Sequence, residues 1–331
     1  MTDAAADGGS QAWVDAERRV EEFLLGGARR YRRGEIGEAT DLPFEQSARL
    51  WNALGFPSTP DDVPTFTDAD LGALDLTRRL LDQEAFDESE ALAVARTLGQ
   101  SVARLAEWQA NLLRRTIAEA GSTGDPGAVV DAVEGLVPLL EKLQTYAWRR
   151  HLAVTAGRMM AGLAHPDPGG EDTMVVGFAD VVGFTALSRA VDTDELRSLL
   201  ERFDAMSGDI VARHGGRVVK TLGDEVLFVA TEIEPALAIA RALQDGIPDD
   251  DGRLRLRVGL AYGEVLPRYG DVYGPVVNIA SRLTTHARPG TILVDDDLTE
   301  AVRAAGLDVE LKAVPPLTVR GYRHLRPHRL R

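Results

Sequence analysis

The chain contains no cysteine, which excludes disulfides, thiolate metal sites and thiol nucleophiles together. It has no apolar run approaching the ~20 residues that a membrane-spanning helix needs. Its first residues, MTDAAADGGSQ, show neither the basic end nor the apolar stretch of a secretory signal. A soluble, cytoplasmic protein is expected. Positive charge is scarce: 37 Lys and Arg stand against 52 Asp and Glu, for a formal net charge of -15. That balance argues against nucleic acid as the main partner, because phosphate binding needs a cationic surface. The densest basic tract, RRYRR at 29–33, reads as a solvated helix face. What the chain does have is 44% hydrophobic residues over 331 positions, enough for two domains with a core each.

The boundary between them is expected in AHPDPGGED at 164–172, where two prolines and two glycines interrupt the pattern. This gives a helical domain at 1–163, a linker at 164–173 and a second domain at 174–331. In the first domain, Asp41 can cap a helix whose first turn suits Pro43 and whose apolar face carries Phe44, Ala48 and Trp51, before Gly55 and Pro57 stop it. Thr67 with Asp70 three residues on predicts another N-terminus, and Phe66 can staple onto Leu71. Two longer amphipathic helices follow. One carries Leu98, Val102, Leu105, Trp108 and Leu112, and the other runs from about Val129 to Met160 with a kink expected at Pro138. The aromatic and leucine faces around Trp108 and Trp148 are expected to form helix-packing core.

After residue 173 the pattern alternates. MVVGFAD is a continuous apolar strand, and TDELRSLLERFDAMSGDIVARHGG is a helix with Leu196, Leu199, Phe203, Met206 and Ile210 on one face. RVVKTLGDEVLFVA reads strand, turn, strand. A helix at about 234–246, a strand at 254–262, a helix at 275–286, a strand at 291–294 and an αββ-like tail follow. The order β-α-β-β-α-β predicts an α+β fold of ferredoxin-like type, with one sheet face bare or available to a partner.

Two acids stand out by position. Asp180 ends the first strand and Asp224 sits in the turn of the central hairpin, so the fold would bring them together. Each alone is an ordinary cap or turn residue. As an oxygen-only pair without His or Cys they suit one or two divalent cations, magnesium or manganese, shared with substrate phosphates. Beyond Asp180, VVGFT turns toward a helix, so backbone N–H groups at Gly183, Phe184 and Thr185 can meet those phosphates. In GDVYGPVVNIASRL, Asn278 and Arg282 lie four apart on one helical face, a placement that can hold a ribose and a phosphate.

FADVVGFT, VVKTLGDEVL and DVYGPVVNIASRL together, in order and spacing, resemble the class III nucleotidyl cyclases across essentially all of 174–331. The resemblance implies an adenylyl cyclase that makes cyclic AMP and pyrophosphate from ATP. Asp180 and Asp224 match the metal-binding aspartates, with the Val181 carbonyl as a further ligand. Lys220 and Asp271 match the adenine-reading pair, Asn278 the ribose-positioning residue and Arg282 the transition-state stabiliser. Arg320, in LTVRGYRH, falls where a basic residue holds the terminal phosphates. The resemblance also implies a head-to-tail homodimer in which one protomer supplies the metal aspartates and the other the base-reading pair, Asn and Arg. The motifs offer no general base.

LGDEVLF looks superficially like a diguanylate cyclase signature but lacks its second glycine, and DVYGPVVNIASRL has no place in that family. Residues 31–81 resemble a MerR-type helix-turn-helix, which would make the chain a DNA-binding regulator with a nucleotide-sensing cyclase-like domain; the acidic total stands against this. Residues 20–165 resemble, more loosely, the regulatory halves of autoinhibited, pH-responsive soluble cyclases of mycobacteria and related actinobacteria. His151 and His165 bracket the passage into the linker and are candidates for a pH switch. An apolar ligand such as a fatty acid could sit between the helices.

Overall fold

Capping chemistry decides where the helices of the first half begin. The computed structural model describes residues 3–37, 43–58, 60–81, 87–164, 173–246, 255–319 and 322–331, and the chain divides into two compact units, Met1–Gly157 and Arg158–Arg331. The expected linker residues 165–172, His165 among them, and Asp41 lie outside the described residues. The first unit contains α1 (Asp3–Leu24), α2 (Phe44–Ala53), α3 (Asp68–Leu81), α4 (Glu88–Gly121) and most of α5 (Pro126–Ala164), which continues through Pro138. At the start of α3, Thr67 Oγ1 accepts from the Asp70 N–H at 3.3 Å and the Asp70 carboxylate accepts from the Thr67 N–H at 2.7 Å. This is the reciprocal box that the sequence predicts. Asp87 and Glu90 repeat it at α4, with bonds of 2.8 and 3.0 Å.

The core of this unit is small. Ile36, Leu50, Phe66, Val129, Val130 and Val133 are buried, and the Trp51 ring meets Phe66 edge-on with centroids 4.7 Å apart. The expectation that Trp108 and Trp148 belong to a packing core is wrong: they are 63% and 61% exposed. Helical spacing puts apolar residues on one face but does not supply a partner for it. Helices α2 and α3, of 10 and 14 residues, cover little of α4 and α5, which run for 34 and 39.

The second unit runs β1 (Thr173–Val181), α6 (Phe184–Ala190), α7 (Thr193–Arg213), β2 (Arg217–Leu222), β3 (Glu225–Ala230), α8 (Ile233–Asp245) and β4 (Leu256–Glu264). It continues with a small hairpin, β5 (Leu266–Arg268) and β6 (Asp271–Tyr273), then α9 (Pro275–His286), β7 (Thr291–Val294) and α10 (Asp296–Ala304). It ends with β8 (Leu311–Ala313), β9 (Leu317–Val319), β10 (Tyr322–Leu325) and β11 (His328–Leu330). The main sheet has the order β2-β3-β1-β4-β7-β11-β8. Its first four strands are antiparallel neighbours, the ferredoxin-like βαββαβ order expected, and β7 then joins β4 in parallel.

Both faces of the sheet carry helices. Val175, Ala179, Phe228, Leu256 and Leu260 pack one face against α7, α8 and α10. Val176, Phe178, Leu227 and Ala261 pack the other against Val276 and Ala280 of α9. The face expected to be bare or available to a partner is covered by α9 over β1 and β4, while Lys220, Thr221 and Leu222 at the far end of β2 stay exposed. Gly259 explains how close α9 comes: a Cβ there would lie 2.4 Å from the Ala280 carbonyl oxygen and the Thr284 nitrogen. Any side chain at 259 would push α9 off the sheet.

Candidate active site

The continuous apolar strand β1 buries five residues in a row, Val175 to Ala179, and reaches Asp180 at the point where burial begins to give way. The β2–β3 hairpin turns at Gly223, whose φ of 68° favours glycine, and delivers Asp224 beside it. The Val181 N–H donates to the Asp224 carbonyl at 3.1 Å, tying the hairpin turn to the strand end. Asp180 lies close enough for its charge to act on the Asp224 carboxyl. Burial, reinforced by the Asp180 charge and hydrogen bond, raises the Asp224 carboxyl above its ordinary range. Glu225, the cross-strand partner of Asp180, is likewise raised by burial and by the two aspartates.

Sequence reading passed over Arg257. It sits on β4 as the other cross-strand partner of Asp180, and its Nη2 donates to Asp180 Oδ2. A signal for it was present: in RLRLRV, alternation places Arg257 on the face opposite Leu256 and Val258. What the sequence lacks is the register that sets it beside Asp180, 77 residues earlier.

The other predicted residues form a second group. Lys220 Nζ donates to Asp271 Oδ2 at 2.6 Å. Burial pushes the Asp271 carboxyl up, but Lys220 and the Val272 N–H outweigh it and hold that group below its ordinary range. Arg217 braces the same region, donating to the Gly270 carbonyl at 3.0 Å. On α9, Val276, Ala280, Leu283 and Thr284 are buried while Asn278 and Arg282 are exposed, so one turn of the same helix holds the sheet and offers polar groups outward. The ion pairs of the first group join Asp180 to Arg257, and those of the second join Lys220 to Asp271; none among the described residues bridges the two groups. Gly183, with φ 76°, caps the seven-residue α6; Phe184 packs on the core and Thr185 is exposed. Arg320 lies outside the described residues.

The acid pair fits divalent metal in its donor chemistry. Both side chains offer only oxygen, and among the described residues no three His, Cys, Asp or Glu side chains close around a point. An open carboxylate pair of this kind suits a cation that keeps water or phosphate oxygens in its shell.

In the first unit, α2, α3 and α4 line a half-open cavity of about 170 Å³, with Leu50, Trp51, Leu54, Phe56, Leu74 and Leu98 among its walls. His151 is exposed on α5. No helix among the described residues is long and apolar enough to cross a membrane.

Comparison with known proteins converges on the second unit. Residues 168–330 match the model of the adenylate and guanylate cyclase catalytic domain. An adenylate cyclase of Streptomyces coelicolor is 40% identical over 289 residues, which is 85% of this chain and 74% of that protein. An adenylate cyclase of Glutamicibacter nicotianae is 34% identical over 97% of this chain and 83% of its own length. A pH-sensitive adenylate cyclase of Mycobacterium tuberculosis is 32% identical over 81% of this chain and 69% of its own length. These similarities extend through the helical half, and the chain belongs to the family of adenylate and guanylate cyclase catalytic-domain proteins, class III.

Proposed function

We propose that the chain is an adenylate cyclase, a phosphorus–oxygen lyase that converts ATP to 3′,5′-cyclic AMP and pyrophosphate at sites shared across a homodimer. The observation that carries the choice of base is the Lys220–Asp271 pair at 2.6 Å. The ammonium donates to the unprotonated ring nitrogen of adenine, and the carboxylate accepts from the exocyclic amine. Guanine presents the opposite polarity at both points, so a site built this way leaves its own polar groups unpaired against GTP. Until a base arrives, the two side chains satisfy one another.

Asp180, Asp224 and the Val181 carbonyl are the groups that would hold two divalent cations, Mg2+ or Mn2+. Bound there, such cations would activate the ribose 3′-hydroxyl and neutralise charge on the departing pyrophosphate. Asn278 orients the ribose, and Arg282 stabilises charge that grows on the phosphoryl oxygens, an effect of about 3 to 4 kcal/mol by analogy with oxyanion donors. In the first turn of α6, the Ala186 and Leu187 N–H groups close on the Gly183 carbonyl. The N–H groups of Gly183, Phe184 and Thr185 precede that closure and are offered to the triphosphate, with Arg320 at its far end. Exposure of Asn278 and Arg282 on one side of α9, with the acid pair on the sheet beneath, supports assembly of each site from two copies.

Exchanging Lys220 for Glu and Asp271 for Cys reverses the hydrogen-bond polarity and is expected to cut ATP turnover by about 10²-fold or more. A double variant that cyclises ATP as well as the parent contradicts the base assignment.

The helical unit, residues 1–163 with the linker after it, is read as regulatory. Support comes from the pH-sensitive relative and from the apolar cavity, whose volume suits a ring or the end of an acyl chain more than a whole lipid. Comparing cyclic AMP formation by 1–331 and 166–331 across about pH 5.5 to 8 tests this. Higher activity in the shorter form shows inhibition, and identical profiles rule out control by the helical unit.

A further inference from the structure

A bulge in β2 brings two cations to one side of the sheet. Residues three apart in a regular strand point to opposite faces, so Arg217 and Lys220 would ordinarily diverge. The ladder with β3 instead pairs Arg217 with Val229, Val218 with Phe228 and Lys220 with Leu227, which leaves Val219 as an extra residue. Val229 and Leu227 both belong to the face that α9 covers, as does Val272 of β6. Arg217 and Lys220 therefore emerge on that face and grip neighbouring residues of one turn. Arg217 Nη1 donates to the Gly270 carbonyl at 3.0 Å, and Lys220 Nζ to Asp271 Oδ2 at 2.6 Å.

The turn needs such a grip. β5 and β6 pair Arg268 with Asp271, so Tyr269 and Gly270 alone connect the two strands. Both residues have positive φ, 53° and 82°, the pattern of a tight hairpin turn, and Tyr269 adopts it against the steric preference of its Cβ. The two strands have three residues each, and Leu266, Tyr269 and Tyr273 are exposed, so the hairpin has little packing of its own. Lys220 cannot serve both as a brace and as a reader of the base. When its ammonium turns to a ring nitrogen, its bond to Asp271 weakens, whereas the bond from Arg217 to Gly270 has no reason to change. The Asp271 carboxylate is then aimed by the Val272 N–H, which donates to Oδ1 at 2.8 Å, and by the turn that Arg217 holds.

We infer that Arg217 is a positioning residue for base selection: by clamping the Gly270 carbonyl it keeps the turn, and with it Asp271, in register with Lys220 while Lys220 engages the base. The inference rests on the reading of Lys220 and Asp271 as the base-reading pair. An arginine that merely stabilises the sheet would lower the amount of folded enzyme and leave the affinities for ATP and GTP alone. A phosphate ligand would, on removal, weaken both nucleotides alike. A positioning residue, on removal, weakens ATP and leaves GTP, which gains nothing from the pair, where it was.

The test uses full-length protein with Mn2+ and reads two quantities, the KM for ATP and the inhibition constant of GTP against ATP; their ratio is the preference for adenine. In Arg217→Met the KM for ATP should rise about tenfold, the worth of one charge-assisted hydrogen bond, with kcat and the GTP constant little changed. Arg217→Lys restores a cationic donor and should recover most of the preference. In an Asp271→Ala background, Arg217→Met should alter the preference little, because the residue it positions is gone. An unchanged preference in Arg217→Met overturns the inference, as does equal weakening of ATP and GTP. Should the Met variant fail to fold, Arg217→Gln, which stays polar but falls short of the carbonyl, serves in its place with the same expected loss, and an unchanged preference there overturns the inference equally. If Asp271→Ala alone keeps the parent's preference, or the parent forms no cyclic AMP, the base-reading assignment fails and this inference with it.

Discussion

The two units differ in how they treat charge. In the helical unit the shifted acids Asp68, Asp75 and Asp87 all lie at the surface and are drawn down, by the Tyr31 hydroxyl and Arg30, by Arg78 and Arg79, and by the N-terminus of α4 respectively. In the cyclase unit Asp224, Glu225 and Asp295 are driven up, burial being the largest cause in each, while Asp271, which burial also pushes up, is drawn down by Lys220. The apolar residues divide the same way. Most of the buried hydrophobic core belongs to the sheet and its helices, while Trp108, Leu139, Leu143, Tyr146 and Trp148 stand open on α4 and α5. A unit with a large core can bury carboxylates and hold them for use. A unit of long helices with a thin core keeps its charges in water and leaves apolar surface for other contacts.

Asp295 gives the strongest way to break that contrast. It is 2% exposed, caps α10 through the Leu298 N–H at 2.9 Å, and its carboxyl is pushed up to about 7 by burial, against the pull of that cap. Below about pH 4 the group is protonated both folded and unfolded, and its contribution to stability is complete. Between pH 4 and 7 the folded state keeps a proton that the unfolded chain releases, so stability is lost as pH rises through that window. Asp295→Asn keeps the cap acceptor without the charge. At pH 8 it should be more stable than the parent by up to ~4 kcal/mol, the three-unit shift converted at 1.36 kcal/mol per unit, and the gain should vanish near pH 4. Equal differences at both pH values in denaturant titrations would show that burial is not the cause.

Packing supplies a smaller contrast. Gly259→Ala places a methyl against the backbone of α9 and should cost about 1 to 3 kcal/mol. Trp108→Ser, a far larger change of volume, should shift stability by less than ~0.5 kcal/mol because the ring already faces water. Thermal unfolding of the two variants side by side checks both. A Trp108 variant that loses more than the Gly259 variant would mean that the exposed ring is covered in solution.

The sequence was most informative where local chemistry and long-range structure agree. Thr67 with Asp70, the strand that delivers Asp180 and the helix over 275–286 are each punctuated by caps, turns or proline, and they fold within one residue of where that punctuation says. The reach of Lys220 to Asp271 came from the family resemblance, since no spacing rule predicts a contact across 51 positions. Arg257 and Glu225 stayed hidden because a strand's alternation gives the face of a residue but not its register against a distant strand. Trp108 and Trp148 misled for the opposite reason: periodicity identifies an apolar face and says nothing about whether a partner exists to cover it.

The central claim is that each active site draws Asp180 and Asp224 from one copy and Asn278 and Arg282 from another. Asp180→Ala and Arg282→Ala, each inactive alone, can be mixed in equal amounts under conditions that allow subunit exchange. Half of the randomly formed dimers then pair one variant with the other, and each such dimer rebuilds one of its two sites, so cyclic AMP formation should return to about a quarter of the parent's. Activity that stays at the level of the separate variants after verified exchange would contradict shared sites.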